Sequence, residues 1–345
     1  MSQAVRLFTT VPVQDAVGAV LCHDITRIVP GQSKGPVFRK GHRVVREDIP
    51  VLLEVGKEHL YVYEPRPGIL HEDDAALRIT RACAGANLHF SAPQEGRINF
   101  HASCQGLLHV DVETLTRVNS LGEIALASLH GMQEVAKNQP VAGTRVIPLV
   151  IEEQKIVALE NSVFAPVISV LPFRSLQVGV VTTGSEVYHG RIKDAFGPIV
   201  RQKFERLGSR ILDQTFTSDD VDMTRNAIRA FIDGGAQMVV VTGGMSVDPD
   251  DRTPAAIRAA GGKVVSYGTP TFPGAMFMLA HIGDVPVMGL PGCVMYYKAS
   301  IFDLVVPRLL AGLEVTVQDI AALGHGGFCA NCPECHYPLC PFGKC

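Results

Sequence analysis

Hydrophobic positions between Leu176 and Leu313 alternate between continuous runs and runs with helical spacing. The continuous runs predict strands at Leu176–Thr182, Arg210–Phe216, Gln237–Thr242, Val264–Tyr267 and Val285–Gly289. Helical spacing predicts helices at Phe196–Leu207 and Met223–Ile232, one that opens at Thr253, and a last one through Leu310. Strands that alternate with helices favour right-handed βαβ units. We therefore predict an α/β domain at residues 176–313, with a parallel or mixed sheet and helices on both faces.

The pattern before Leu176 is less regular and predicts two smaller regions. The pattern of residues 1–68 predicts a small α+β region. Its expected elements are a helix that begins after Arg46 and ends at Gly56, a strand at Leu60–Tyr63 and a linker at 65–68. Residues 75–175 predict a β-rich region. Its expected elements are strands at Leu107–Val112, Thr144–Ile151 and Val163–Leu171, and a helix at Asn119–His130.

Composition and charge narrow the class of protein. A chain of 345 residues, 47% of them hydrophobic, is long enough for several domains with their own cores. The net charge of −3 gives no indication of a nucleic-acid partner. The first residues lack a signal-peptide pattern, and the apolar stretch 301–313 contains Asp303, Pro307 and Arg308. We therefore expect a cytoplasmic protein that does not enter a membrane.

Three loops that contain glycine follow three of the predicted strands, and two of these loops also contain Ser or Thr. They contain Thr182, Thr183, Gly184, Ser185 and Glu186 in the first loop, Thr242, Gly243, Gly244, Met245 and Ser246 in the second, and Leu290, Pro291, Gly292 and Cys293 in the third. Ligands bind outside the carboxyl ends of the strands in such sheets. Glycines let the backbone approach an anion, although each loop alone is also compatible with an ordinary tight turn.

Acidic residues lie between these loops. Asp219 and Asp220 follow a strand and precede a helix, and Asp251 precedes the helix that opens at Thr253. A carboxylate at such a position commonly caps the helix, which we expect for at least one residue of the first pair. Acids beside an anion-binding loop need a divalent cation, so the pattern suggests a phosphate ligand bound with Mg²⁺.

The segments TTGSE, SDD, VVVTGGMS, DRTP, FPG and LPG occur in this order between Leu176 and Leu313. Together they resemble the molybdopterin-binding domain of molybdopterin adenylyltransferases and molybdopterin molybdenumtransferases. The resemblance implies that the TGG loop holds the phosphate of molybdopterin, with Asp219 or Asp220 and Asp251 at Mg²⁺ and the reacting phosphate. The catalytic residues implied are Asp219, Asp220 and Asp251. The ligand-binding residues implied are Thr183, Gly184, Ser185, Glu186, Thr242, Gly243, Gly244, Ser246, Pro291 and Gly292.

This chain departs from the molybdenumtransferase pattern at two places. The lysines that flank a proline-glycine segment in that family are absent from the segment 272–276, and Cys293-Val294 replaces the Asn-Pro that follows LPG. Fewer cations weaken oxyanion binding, which leaves adenylyl transfer, molybdenum insertion and carriage of the cofactor as open alternatives. Cys293 is either a soft ligand to molybdenum or a buried structural thiol.

Cysteines are concentrated in the segment 324–345. Cys329, Cys332, Cys335 and Cys340 have the spacing x2, x2 and x4, which suits Zn²⁺ or an iron–sulfur cluster. We expect the α/β core to be complete before Leu313, and the Gly- and Pro-rich tail to contain too little apolar material for a core. A metal would then order the tail, and the alternative is a disordered, reactive tail.

These observations predict a protein of molybdenum cofactor biosynthesis. Its ligand would be molybdopterin or the adenylylated form, with ATP or molybdate as further substrates. The alternatives are a non-catalytic carrier or sensor of the cofactor and an unrelated nucleotide-binding protein with the same fold. A homo-oligomer or a molybdoenzyme partner is compatible with each.

Overall fold

The computed structural model describes residues 9–29, 33–62 and 67–344. The chain divides into two compact units. Unit 1 comprises residues 1–103, 110–129 and 138–169, and unit 2 comprises residues 104–109, 130–137 and 170–345. The finer division into segments 1–68, 75–175, 176–313 and 324–345 stays a prediction.

The first part of unit 1 is a small α+β region. Its elements are β1 (Thr9–Pro12), β2 (Ile25–Val29), β3 (Ser33–Phe38), α1 (Ile49–Glu54) and β4 (His59–Val62). β1 pairs with β4 and β2 pairs with β3, both antiparallel. Leu52 of α1 and Leu60 of β4 are buried in a common apolar cluster. The predicted helix after Arg46 and the strand at Leu60 are confirmed, whereas residues 65 and 66 of the predicted linker lie outside the described residues.

The middle of the chain is rich in strands. Its elements are β5 (Ile69–His71), α2 (Glu72–Cys83), β6 (Leu88–Phe90), β7 (Arg97–Ala102), β8 (Gly106–Val110), α3 (Val112–Ser120), β9 (Ile124–Ser128), β10 (Glu134–Val135), β11 (Pro140–Val146), β12 (Val150–Glu152), α4 (Glu153–Ser162) and β13 (Ile168–Pro172). The order β6-β7-β11-β9 forms an antiparallel sheet. The predicted strand at 144–151 is two strands, β11 and β12, and the strand predicted from Val163 begins only at Ile168.

The predicted helix at Asn119–His130 is wrong. The helix of this region, α3, ends where the predicted one begins, and Ile124–Ser128 of the following segment forms β9. Asp111 sets the start of α3, because its side chain accepts a hydrogen bond from the backbone N–H of Thr114 at 3.0 Å. The sequence contains this cap, but the prediction placed the helix by its later apolar residues.

Two left-handed residues separate α3 from β9. Gly122 has φ of +74° and Glu123 has φ of +61°, so the chain cannot continue as a helix. Ile124 and Leu126 are then buried at the period of two that is typical of a strand. Pairing with β11 therefore outweighs the helix propensity of this alanine- and leucine-containing segment.

Unit 2 contains the predicted α/β domain. Its elements after β13 are β14 (Gln177–Thr183), α5 (Ser185–Tyr188), α6 (Phe196–Arg206), β15 (Arg210–Thr217), α7 (Val221–Asp233), β16 (Met238–Thr242), α8 (Thr253–Ala259), β17 (Lys263–Tyr267), β18 (Met278–Ile282), β19 (Val285–Leu290), α9 (Cys293–Tyr296), α10 (Ile301–Leu310) and α11 (Val317–Ala322). A six-stranded sheet has the order β15-β14-β16-β19-β18-β17. The first four strands are parallel, and β18 is antiparallel to both of its neighbours.

The fold class is confirmed, since this sheet is mixed and has buried apolar residues on both faces. Val178 and Val180 of β14 pack with α6 and α10 in one cluster. Val181 and Val239 pack with α7 and α8 in a second cluster. The sequence prediction missed β18, although its apolar segment gave a strand signal. The antiparallel strand makes the sheet mixed.

The tail contributes to the core of unit 2, contrary to the expectation that the core is complete before Leu313. Phe342 of the tail, and Leu323 directly before the tail, are buried in the same cluster as α6 and α10. The hydroxyl of Tyr337 donates a hydrogen bond to the backbone carbonyl of Asp303 at 2.7 Å. The tail therefore has apolar anchors in spite of its glycines and prolines.

Among the helices of the described residues, none has the length and apolar character needed to span a bilayer.

Candidate ligand-binding site

The three predicted loops lie together at one edge of the sheet of unit 2. They follow β14, β16 and β19, which are adjacent parallel strands, so their carboxyl ends meet. Each loop begins at a residue that these strands bury. The sequence prediction of one shared loop cluster is consistent with this register.

The TGG loop, Thr242 to Gly244, requires glycine at two positions. Gly243 and Gly244 have φ of +86° and +58°. A Cβ atom on Gly243 would lie 2.4 Å from the backbone oxygen of Thr183, and one on Gly244 would lie 2.7 Å from Thr253 Oγ1. The loop is therefore packed closely against its neighbours, and no larger residue fits without a shift of the backbone.

Thr253 fixes the conformation of the TGG loop. Its hydroxyl donates to the carbonyl of Gly243 at 2.9 Å, and its backbone N–H donates to the carbonyl of Gly244 at 3.1 Å. Thr183 on the other side donates from its hydroxyl to the carbonyl of Thr242 at 3.3 Å. Sequence reasoning gave Thr253 no role in the site, although the DRTP segment contains it.

An apolar cleft of about 470 Å³ opens on one side of the TGG loop. Its lining includes the apolar side chains of Met245, Phe272, Ala275, Met276 and Leu290. The predicted residues in this lining are Gly243, Gly244, Ser246, Asp251, Pro291 and Gly292. The FPG segment therefore forms one wall of this cleft. The sequence analysis named this segment as part of the resemblance but assigned none of its residues to the site.

An acidic cleft of about 770 Å³ opens on the other side of the same loop. The predicted residues that line it are Thr183, Gly184, Ser185, Glu186, Asp219, Asp220, Gly243, Gly244 and Asp251. Asp248 and Asp250 add two more carboxylates, and Arg252 is the one cation in its described lining. Gly243, Gly244 and Asp251 line both clefts, so the loop lies where the apolar and the acidic surfaces meet.

The paired aspartates have different partners. Asp220 Oδ1 accepts the backbone N–H of Met223 at 2.7 Å and caps α7. Asp219 Oδ2 instead accepts the backbone N–H of Ser185 at 2.9 Å. This hydrogen bond links the segment after β15 to the loop after β14. The expectation that one of the pair caps the helix is confirmed, and the residue is Asp220.

Two of the predicted site residues, Thr242 and Asp251, also have structural roles. Thr242 is fully buried, its hydroxyl donates to Thr182 Oγ1 at 3.1 Å, and it lines neither cleft. Asp251 accepts the backbone N–H of Asp248 at 3.3 Å, which holds the turn before α8. Thr242 thus stabilises the loop without lining a cleft, while Asp251 lines both clefts.

Cys293 lines the apolar cleft at the start of α9. Burial raises the pKa of its thiol, opposed by hydrogen bonding with backbone N–H groups. The thiol is therefore mostly protonated at neutral pH in the absence of a metal ion, and both alternatives for Cys293 stay open, because a bound metal ion would itself lower the pKa of the thiol.

The predicted tail cysteines are not gathered in this structure. Cys329 and Cys340 pack against the core cluster, whereas Cys332 and Cys335 are exposed. Within the described ranges, no group of three or more His, Cys, Asp or Glu side chains is placed to hold a metal ion. The tail metal site stays a prediction that would require these thiols to move together.

Two stretches of the chain match models of protein families. Residues 10–64 match the family described as "Domain of unknown function (DUF8806)". Residues 179–311 match the family described as "Probable molybdopterin binding domain". The sheet and its helices define this part as an α/β domain, with a candidate ligand-binding site at its glycine loops. This second match confirms the resemblance to a molybdopterin-binding domain that was seen in the sequence.

Curated relatives are similar to parts of the chain. A CinA-like protein of Mycobacterium avium is 33% identical over 79 residues, which are 23% of this chain and 18% of the relative. A molybdopterin molybdenumtransferase of Staphylococcus aureus is 27% identical over 156 residues, which cover 42% of this chain and 37% of that protein. The chain thus spans well under half of the length of either relative.

Solved structures are similar to between a third and two-fifths of the chain. The tungsten cofactor synthesizing protein MoaB from Pyrococcus furiosus is 21% identical and covers 40% of this chain and 96% of its own, with a TM-score of 0.33. The protein CinA from Thermoplasma acidophilum is 18% identical and covers 34% of this chain and 89% of its own, with a TM-score of 0.29.

Proposed function

We propose that unit 2 binds molybdopterin at the TGG loop and acts in molybdenum cofactor biosynthesis. The reaction would be a Mg²⁺-dependent transfer of molybdenum or of an adenylyl group, with molybdate or ATP as the second substrate. Molybdopterin or its adenylylated form would be the ligand, in the cytoplasm. The family of residues 179–311 supports the ligand, and the clefts support the chemistry.

The observation that carries this proposal is the position of the TGG loop between an apolar and an acidic cleft. Molybdopterin combines a flat ring system with a phosphate group, so it needs both kinds of surface. Met245, Phe272 and Met276 suit the ring system, because polarisable and aromatic side chains pack well against flat rings. Gly243 and Gly244 let the phosphate approach the backbone.

Mg²⁺ fits the acidic cleft as an ion shared with the ligand. Mg²⁺ commonly uses one or two carboxylates, with water and substrate phosphate as its other ligands. Asp219 and Asp251 would hold it with the carboxylate oxygens that accept no backbone N–H bond, while Asp220 would keep its role as the cap of α7. Bound there, Mg²⁺ would offset the repulsion between the phosphate and the surrounding carboxylates. Glu186 would orient the ligand or the ion from the first loop.

A carrier or sensor is the second candidate function. The scarcity of cations favours it, since Arg252 is the one Lys or Arg side chain among the described residues that line the two clefts. Molybdate and triphosphate binding usually rely on several such cations. A carrier would hold molybdopterin without converting it and would pass it to a molybdoenzyme or to a second copy of the chain.

Binding and turnover measured on the same protein separate these candidates. The full chain is mixed with molybdopterin, with and without Mg²⁺, and retained pterin is measured by its fluorescence after gel filtration. We expect stoichiometric binding. Turnover is then followed with ATP and, separately, with molybdate plus adenylylated molybdopterin. Product formation supports the transferase, and binding without product supports the carrier.

Asp251→Asn tests the assignment of the carboxylate. The variant keeps the shape of the side chain, so the fold should survive, while Mg²⁺-dependent turnover should fall by about a hundredfold or more. Asp233→Asn, which changes an exposed aspartate at the end of α7, is the matched control and should leave turnover unchanged. Normal turnover in Asp251→Asn would contradict the catalytic role of Asp251. Absence of molybdopterin binding to the unmodified chain would contradict the whole proposal.

A further inference from the structure

Unit 1 contains a small cavity that the proposed function does not use. Its volume is about 330 Å³, near the lower limit for a small-molecule site. The lining consists of His23, Asp24, Tyr61, Glu72, Glu95, Arg145, Ile147 and Leu149. Three of these residues are acids and one is arginine, so the cavity combines negative charge with two aliphatic side chains.

Glu72 is the unusual residue of this cavity. It lies at the start of α2 with 7% of its surface exposed. Its carboxylate makes no hydrogen bond and no ion pair with any residue in the described part of the chain. A buried carboxylate without a partner is costly, because burial penalises the charged form.

The backbone around Glu72 leaves space for its carboxylate. Gly96 has φ of +67°, and a Cβ atom there would lie 2.9 Å from Glu72 Oε2. The neighbouring charges already have other partners. Lys40 Nζ bonds Asp73 at 2.5 Å and His71 at 2.9 Å, and Arg145 lies 3.9 Å from Glu95. Glu72 therefore remains available to a ligand from outside the chain.

We propose that this cavity binds a small molecule that carries a guanidinium or amidinium group, with Glu72 as the acceptor of its two parallel N–H bonds. The planar pair of N–H donors matches the two free oxygens of one carboxylate. The excess of carboxylates selects a cation, and Ile147 and Leu149 suit its carbon chain.

The pH dependence gives this site a characteristic signature. Burial raises the pKa of Glu72 to about 7, with Asp73 and Glu95 acting in the same direction and Arg145 and Lys40 opposing them. Of the other groups that face the cavity, burial lowers the pKa of His23, so that ring is neutral above pH 7. Only ionised Glu72 accepts both N–H bonds, so affinity should rise about tenfold from pH 6 to pH 8, following the ionised fraction.

Calorimetry on the full chain tests the proposal with methylguanidinium, methylammonium and tetramethylammonium as probes. We expect binding in that order of strength at pH 8, because tetramethylammonium has the charge but no N–H donor. Glu72→Gln should weaken methylguanidinium binding at least tenfold while the melting temperature shows that the fold is kept. Glu113→Gln, an exposed glutamate of unit 1, should leave binding unchanged.

Three results would overturn the proposal. They are equal binding of tetramethylammonium and methylguanidinium, unchanged binding in Glu72→Gln, and affinity of the unmodified chain that does not change between pH 6 and pH 8. The pH series needs no variant, so it remains decisive even if Glu72→Gln alters the fold. None of these measurements involves molybdopterin, so failure here leaves the proposed function of unit 2 intact.

Discussion

Asp219 and Asp220 are neighbours in sequence, but their carboxylates have different partners. The sequence predicts that one of them caps α7, because aspartate before a helix commonly does so. It cannot tell which one, since the choice depends on the path of the chain after β15. The extended conformation of Asp220, with φ of −95° and ψ of 125°, directs its carboxylate to Met223, while Asp219 meets the backbone of Ser185.

Loss of this cap should destabilise unit 2. We expect Asp220→Ala to lower the free energy of unfolding by about 1 kcal/mol, because the N–H of Met223 then loses its partner. Asp220→Asn should cost much less, since asparagine caps about as well. Asp222→Ala, in the same helical turn, is the control and should stay within about 0.5 kcal/mol. Urea unfolding decides, and equal losses for Asp220→Ala and Asp222→Ala would contradict the capping role.

The TGG loop shows why a glycine motif is more informative with a structure. The sequence predicts close approach of the backbone to an anion, whereas the structure adds close approach to Thr183 and Thr253. That second constraint could not be predicted, because it involves residues about sixty and ten positions away in the chain. The spacing of the DRTP segment suggested a helix start and gave no indication of its contact with the loop.

Gly243→Ala should therefore be much more harmful than an alanine at an unconstrained glycine. Gly208 is the matched control, because it has φ of +81° but nothing within 4 Å of an added Cβ atom. We expect Gly208→Ala to cost about 1 kcal/mol from backbone strain alone. Gly243→Ala should cost roughly 3 kcal/mol or more, since the steric clash adds to the strain. Thermal and urea unfolding provide the comparison, and similar losses at both positions would show that the loop is loose.

At the scale of elements, the regular part of the chain was the predictable part. β14, β16 and β19 and the helices between the strands followed from runs of apolar residues, since these three strands are mostly buried on both faces. β15 was predicted as well, although it is an edge strand whose residues are mostly exposed or half-buried. β18 was missed because an alternation of strands and helices predicts only parallel neighbours. In unit 1, α3 and β9 were misassigned because left-handed residues between them break a pattern that apolar spacing alone continues.

The tail is an element whose packing was not predictable from composition. Phe342 is 4% exposed within the core cluster of unit 2, and two residues before it Cys340 packs against the same cluster. Glycines and prolines dominate the segment, so its few apolar residues gave a weak signal. Whether these apolar residues stabilise the tail depends on the surface against which they pack. That surface is formed by residues far away in the sequence, so the local sequence does not reveal it.

Phe342→Ala should lower the stability of unit 2 by about 3 kcal/mol, because a buried aromatic ring is lost and a cavity remains. Phe328→Ala is the control from the same tail, since Phe328 is 78% exposed and should change stability by less than about 0.5 kcal/mol. Urea unfolding of the full chain, followed by near-ultraviolet circular dichroism, measures both. An unchanged midpoint for Phe342→Ala would show that the tail is only loosely attached.

At the scale of the whole molecule, the chain combines two matched families in two compact units. Residues 10–64 lie in unit 1 and residues 179–311 in unit 2. The sequence predicted the fold of the second from its periodicity. It did not predict that segments 104–109 and 130–137 belong with unit 2, because their contacts lie with residues far along the chain. The cavity at Glu72 was likewise not predictable, since its lining comes from well-separated segments.

The tail cysteines decide whether the molecule contains a metal site besides the clefts of unit 2. Four thiolates with this spacing suit one Zn²⁺ or one iron–sulfur cluster. We expect anaerobically purified full chain to contain about one such metal centre per chain, measured by elemental analysis. Metal binding would supply the free energy to bring the exposed Cys332 and Cys335 to Cys329 and Cys340, which the core already holds. The double change Cys332→Ser and Cys335→Ser should abolish the metal, while Cys104→Ser, outside the tail, should retain it. Metal-free protein whose tail thiols are all freely alkylated would leave a reactive tail held by Tyr337 and Phe342.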